Sequence, residues 1–167
     1  MSMIGEYARL TPAELERAVA DPGWALEFIE ELIDAEMDEP GASQPRCLDI
    51  GKAWDALALM LRRIGFPVDI VHGEEGIPGA DDWGYGPPRY LTPEQVRAAA
   101  AALAGTPSDV LGRDVTAADL ARADLYPGIA EDEAEQWVKY VIHHYQTLVP
   151  FFEAASRDGD AMMIWLD

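Results

Sequence analysis

Apolar positions along this chain recur at two different periods. Trp54, Leu57, Leu61 and Ile64 return at helical spacing, as do two neighbouring stripes between residues 131 and 157: Trp137, Val141, His144, Leu148, Phe151 and Ala155 beside Val138, Ile142, Tyr145, Val149 and Phe152. A helix with two such stripes is buried on two sides. Pro150 falls inside it and predicts a kink or a split, because proline cannot donate to the preceding turn. Residues 3–10 alternate as a half-buried strand does. Residues 161–166, Ala-Met-Met-Ile-Trp-Leu, instead form an unbroken apolar run after Gly159, which predicts a central strand covered on both faces. Shorter strands are predicted near 67–71, around Val68, Ile70 and Val71, and near 87–91.

The helix starts are written in capping chemistry. In Leu10-Thr11-Pro12-Ala13-Glu14-Leu15, Thr11 is placed to cap, Pro12 to take the first helical position and Glu14 to reach back as in a capping box. The device returns at Leu91-Thr92-Pro93-Glu94-Gln95, at Thr106-Pro107-Ser108-Asp109 and, without proline, at Thr116-Ala117-Ala118-Asp119. Asp21-Pro22 opens a helix through Trp24, Phe28 and Leu32, and Asp49 is placed to cap the helix that Gly65 stops. The pattern predicts an α+β fold: one helix-rich domain over 1–167, with a small mixed or antiparallel sheet (strands near 3–10, 67–71, 87–91 and 161–166) packed by helices.

Composition narrows the function classes. The 167 residues carry 31 acidic and 12 basic side chains, a formal charge of −19, which disfavours nucleic acid and anionic lipid and would attract a basic protein. The alternative reading is that the charge serves solubility alone. No run reaches the roughly 18 apolar residues a membrane span needs, and the first residues lack a basic and apolar signal pattern, so a soluble cytoplasmic protein is expected. Cys47, the one cysteine, forbids an internal disulfide; it lies near a helix start, where a thiolate would be favoured, but no histidine neighbours it in sequence, and a buried small apolar residue is expected.

No phosphate loop, dinucleotide fingerprint, nucleophile elbow or His-Glu-x-x-His occurs, and no catalytic residue, metal ligand set or cofactor is expected. His143 and His144 are adjacent on one helix and point about 100° apart, which prevents them from converging on a metal. The longest stretch without periodicity runs from His72 to Pro88, and its most suggestive part is Asp81-Asp82-Trp83-Gly84-Tyr85-Gly86-Pro87-Pro88-Arg89-Tyr90. Asp81, Asp82, Trp83, Tyr85, Arg89 and Tyr90 there combine carboxylates, stacking surfaces and a guanidinium, the candidate binding set. The structural alternative is that Trp83 and Tyr85 lid the core while Arg89 pairs with a carboxylate.

The blocks Met3-Ile4-Gly5-Glu6-Tyr7-Ala8-Arg9-Leu10-Thr11-Pro12, Leu48-Asp49-Ile50-Gly51-Lys52-Ala53-Trp54, Gly84-Tyr85-Gly86-Pro87-Pro88-Arg89-Tyr90-Leu91-Thr92-Pro93 and Leu125-Tyr126-Pro127-Gly128 together resemble the YfbM-like bacterial family, as does the closing segment from Gly159 to Leu166. The resemblance spans nearly the whole chain and implies a domain of unknown function, without catalytic residues to carry over. It also implies a histidine in the helix after Lys-Ala-Trp, where this chain has Ala58, and relatives among immunity genes of toxin systems. Two functions follow as expectations. The first is a non-enzymatic acidic module, an immunity-like inhibitor of a basic protein. The second is an enzyme or small-molecule binder in which Asp82, Tyr85, Arg89 and His72 line one pocket of the 72–90 loop.

Overall fold

A computed structural model describes residues 2–41 and 44–167. Strand β1 (Gly5–Leu10) runs into helices α1 (Pro12–Ala20) and α2 (Pro22–Asp38), followed by β2 (Cys47–Asp49), a 3-10 turn (Gly51–Ala53) and α3 (Trp54–Arg63). After β3 (Glu75–Gly76) and β4 (Arg89–Leu91) come α4 (Pro93–Ala104), α5 (Ser108–Gly112) and α6 (Ala117–Arg122). A second 3-10 turn (Glu131–Glu133) leads into α7 (Ala134–Asp158), and β5 (Ala161–Leu166) ends the chain. The five strands form one sheet of order β2-β1-β5-β4-β3, antiparallel at every pairing. This is the helix-rich α+β architecture the periodicities predict.

The sheet separates two apolar cores. Tyr7, Leu91, Met162 and Ile164 face the larger core, built with α3, α4, α6 and α7, while Ala8, Leu10, Met163 and Trp165 face the smaller one beneath α1 and α2. Strand β5 lies between β1 and β4 with Ala161 to Trp165 buried, so its unbroken apolar run is matched by cover on both faces. Thr11, Thr92 and Thr116 each form the expected capping box, with Glu14, Gln95 and Asp119 reaching back.

Four expectations are corrected. Residues 67–71 form no strand: Asp69 accepts hydrogen bonds from the backbone of Val71 (3.1 Å) and His72 (2.9 Å), and the Tyr7 hydroxyl donates to the Ile70 carbonyl (2.6 Å). An Asp that satisfies its neighbours' amides competes with a strand ladder, so this apolar run is buried as a turn, and the strand forms later at Glu75–Gly76. Thr106 does not cap α5, whose first helical residue follows Pro107; its carbonyl instead accepts from the Tyr145 hydroxyl (2.6 Å). Asp49 belongs to β2, and its carboxylate accepts from Gly51 (3.1 Å), ahead of the 3-10 turn and not of α3. Helix α7 is not split at Pro150, which sits on an exposed face where water can take the bond its missing N–H leaves unmade.

One ion pair fastens the sheet to the end of α7. Arg9, 4 % exposed, donates from Nε and Nη2 to Asp160 (3.0 and 2.9 Å) and from Nη2 to Asp158 (2.6 Å). Asp160 is nearly as buried, whereas Asp158 is half-exposed. Removing one partner of a buried pair leaves an uncompensated charge, so Asp160→Ala is expected to cost about 3–5 kcal/mol. Asp158→Ala, at the wet end of the same guanidinium, should cost about 1 kcal/mol or less. Equilibrium unfolding in urea of the two variants checks the contrast.

Candidate functional site

The turn that carries the candidate residues is an extension of the end of β5. Trp83 donates to the Gly86 carbonyl (2.9 Å), closing the turn, and Tyr85 donates to the carbonyl of Leu166 (3.0 Å), pinning it to the strand. Gly84 makes the approach possible. Its φ is +119°, and a Cβ there would lie 2.9 Å from the Leu166 carbonyl oxygen and 3.0 Å from the Asp167 Cα, both main-chain atoms that cannot give way. Trp83 is consequently buried against Trp165, edge to face with ring centroids 5.6 Å apart, and Tyr85 stays exposed.

The candidate residues divide between two places. His72, Tyr85 and Arg89 line one cavity of about 180 Å³ with Val71 and Ile164. Arg89 is occupied within it, donating to the carbonyls of Gly73 (3.2 Å) and Glu74 (2.9 Å), so it braces the loop backbone and forms no carboxylate pair among the described residues. His72 Nδ1 lies 3.4 Å from Asp69. Burial raises the Asp69 carboxyl, but hydrogen bonds from His72 and Val71 outweigh it and hold the group below the usual carboxylate range.

Asp82 and Trp83 line a separate groove of about 260 Å³, walled by Leu26, Ile29 and Ile33 of α2 and by Trp165, with Glu30 and Asp167 also lining it. Tyr90 packs into the smaller core, and Asp81 is exposed. The four-residue pocket of Asp82, Tyr85, Arg89 and His72 therefore does not form, because Asp82 lines a different cavity.

The groove's α2 wall and Trp165 are what the sequence reading missed. Leu26 was one apolar residue of an amphipathic helix and Trp165 one of a strand, and only the packing of α2 across the sheet brings them to the same turn. A larger cleft of about 370 Å³ opens between Leu48 and Phe151, but the Arg9 guanidinium lining it is already neutralised by Asp158 and Asp160.

Negative charge gathers at this end of the sheet. Glu6 lies directly across from Trp165 on β5 and from Asp49 on β2. Burial, and then the neighbouring Asp49 and Asp167, push the Glu6 carboxyl up to about 7. Further along β2, burial and the nearby Glu36 push the Cys47 thiol up to about 12, away from an activated thiolate. His144 packs edge-on against Tyr140, and burial, followed by His143, lowers its pKa. Among the described residues no group of three or more His, Cys, Asp or Glu side chains is arranged to hold a metal ion. No helix among the described residues is long and apolar enough to cross a membrane.

Two outcomes follow. An unfolded Glu6 releases its proton near 4.5 while the folded one keeps it to about 7, so stability falls as pH rises through that window and stays lower above it. Glu6→Gln removes the penalty, and should gain about 1–2 kcal/mol at about pH 8, after allowance for solvent screening, and almost nothing at about pH 4. Thermal unfolding of both proteins at the two pH values checks this. Gly84→Ala should cost about 2 kcal/mol or more and loosen the Trp83–Trp165 contact, read by denaturation and by tryptophan fluorescence.

The blocks that carry the family resemblance meet in space. Trp54 donates from Nε1 to the Met3 carbonyl (3.1 Å), the Tyr126 hydroxyl accepts from the Met3 amide (3.0 Å), and Asp55 accepts from the Tyr126 amide (2.8 Å). These residues staple the chain's start to α3 and to the segment before α7, which is a structural reason for their chemistry. No curated protein matches this chain. The crystal structure of YfbM from Escherichia coli, a protein of unknown function, is similar at 20% sequence identity with a TM-score of 0.66, covering 99% of this chain and all of that one. A family model described as a domain of unknown function, DUF1877, matches residues 1–165, and the chain belongs to that family.

Proposed function

We propose that this protein is a non-enzymatic binding module of the bacterial cytoplasm, immunity-like in kind, whose acidic surface docks on a basic protein. The observation that carries this reading is the groove beside α2, where Trp83 and Trp165 stand next to the carboxylates of Glu30, Asp82 and Asp167. An apolar floor supplies burial on association, and a rim of one sign supplies steering and partner choice. The excess of 31 acidic over 12 basic side chains extends the same field over the whole molecule and works against polyanionic partners such as nucleic acid and anionic membranes. The competing enzyme reading loses its support with the separation of Asp82 from His72, Tyr85 and Arg89.

Affinity capture from a native bacterial lysate tests the proposal. A specific basic protein should be retained at low ionic strength and released as salt rises to about 0.5 M, where charges farther apart than about 4 Å are largely screened. Recovery of no specific basic partner, or of one whose retention ignores salt, counts against it.

A further inference from the structure

We infer that the groove between α2 and the 82–86 turn is a receptor for an arginine side chain of the partner, with its guanidinium over the indoles of Trp83 and Trp165 and its charge met by Glu30, Asp82 and Asp167. This rests on the proposed reading and names the chemistry of that interface.

Three observations lead there. The first is shape and lining: about 260 Å³ with an aliphatic and aromatic floor takes one long side chain, whose methylene stem lies on Leu26 while the charged head reaches the carboxylates. Second, exposed large apolar residues among those described are few, Leu26, Met37 and Tyr85; Leu26 lines the groove and Tyr85 stands in the turn beside it.

The third is how arginines from neighbouring segments of this chain already sit on the aromatic rings of α2. Arg17 lies over the Trp24 ring at 4.2 Å, and Arg46 lies over Phe28 at 5.8 Å while pairing with Glu14. Two of α2's aromatic rings thus already carry a guanidinium from within the molecule. Trp83 and Trp165 present the aromatic-plus-carboxylate combination that Arg46 meets at Phe28 and Glu14, and no arginine or lysine of the chain lies over either indole among the described residues.

Arginine fits this combination better than lysine does. Its planar, weakly hydrated guanidinium stacks on an indole and donates in a fork to a carboxylate at once, whereas an ammonium keeps its water and makes a point contact.

The probe is an acetylated, amidated hexapeptide with three arginines, beside versions with lysine or with uncharged citrulline at those positions. Binding is measured by titration calorimetry at low salt and by the indole N–H signals of Trp83 and Trp165 in NMR spectra. The arginine peptide should bind about tenfold more tightly than the lysine peptide and move both indole signals, and the citrulline peptide should not bind. Asp82→Asn and Glu30→Gln, both at exposed positions, should each weaken it about three- to tenfold, while Glu131→Gln in the 3-10 turn before α7 and Glu135→Gln in the first turn of α7 change it less than twofold.

Equal losses from the Glu131 and Glu135 variants, equal binding of the lysine peptide, or indole signals that stay in place would each overturn the groove while leaving a diffuse acidic interface intact. If the arginine peptide fails to bind while lysate capture still retains a basic protein, the groove falls and the binding module stands. If both fail, both fall.

Discussion

Strand β5 has no face it can show to water: Met162 and Ile164 are buried toward one core, Met163 and Trp165 toward the other, and both of its edges are taken. Its pairing with β1 joins residues 161–166 to 5–10, nearly the whole chain apart. Closing so long a loop carries an entropy cost that burial in both cores has to offset, so the two cores and the central pairing depend on one another. The ladder is fastened at both ends. Arg9 and Asp160 close one, and the paired main chains of Ile4 and Asp167 close the other, at 2.7 and 3.0 Å. What happens at the second end decides where a ligand could sit, because the Gly84 turn is built onto it.

The parts of the fold legible in the sequence are those specified locally. A threonine cap with an acid or amide three residues on settles a helix start through atoms within one turn, and Thr11, Thr92 and Thr116 do so here. Thr106 shares the letters without the outcome, since Pro107 takes the cap position and the Tyr145 hydroxyl holds the Thr106 carbonyl from 39 positions away. Val68-Asp69-Ile70-Val71 misleads for a related reason. Burial of Ile70 and Val71 was readable, but a turn buries apolar side chains as well as a strand does, and the deciding atoms are the Asp69 carboxylate and the distant Tyr7 hydroxyl.

The candidate site was legible by halves. Glycines and aromatics in 81–90 marked a turn of special geometry, and Gly84 is where that geometry is unavoidable. Which side chains the turn would face was not readable, because strand alternation sends Arg89 and Tyr90 to opposite faces of β4 and places His72 with the first and the smaller core with the second. Arg89 had looked like a recognition residue in an acid-dominated chain. It is instead the brace that holds the Gly73 and Glu74 carbonyls in place.

The two faces of the sheet are unequally covered, and this inequality accounts for the position of the groove. The larger core is sealed by α3, α4, α6 and α7, with Tyr7, Leu91 and Ile164 fully inside it. The smaller core is covered by the short helix α1, by α2 and by the loop that carries Ile77, Ala80 and Trp83, and α2 meets the sheet end through Ile29 while leaving Leu26 exposed. Two indoles at the seam between a helix and a turn bury most of their surface and still line an opening. Carboxylates collect at this end of the sheet, where burial first, and then the neighbouring Asp49 and Asp167, raise the Glu6 carboxyl to about 7. Repulsion among like charges on a thinly covered edge is a cost the isolated fold bears, and a cation seated there would relieve it. The proposed affinity for a basic group would in that sense be the other side of the repulsion that this edge carries by itself.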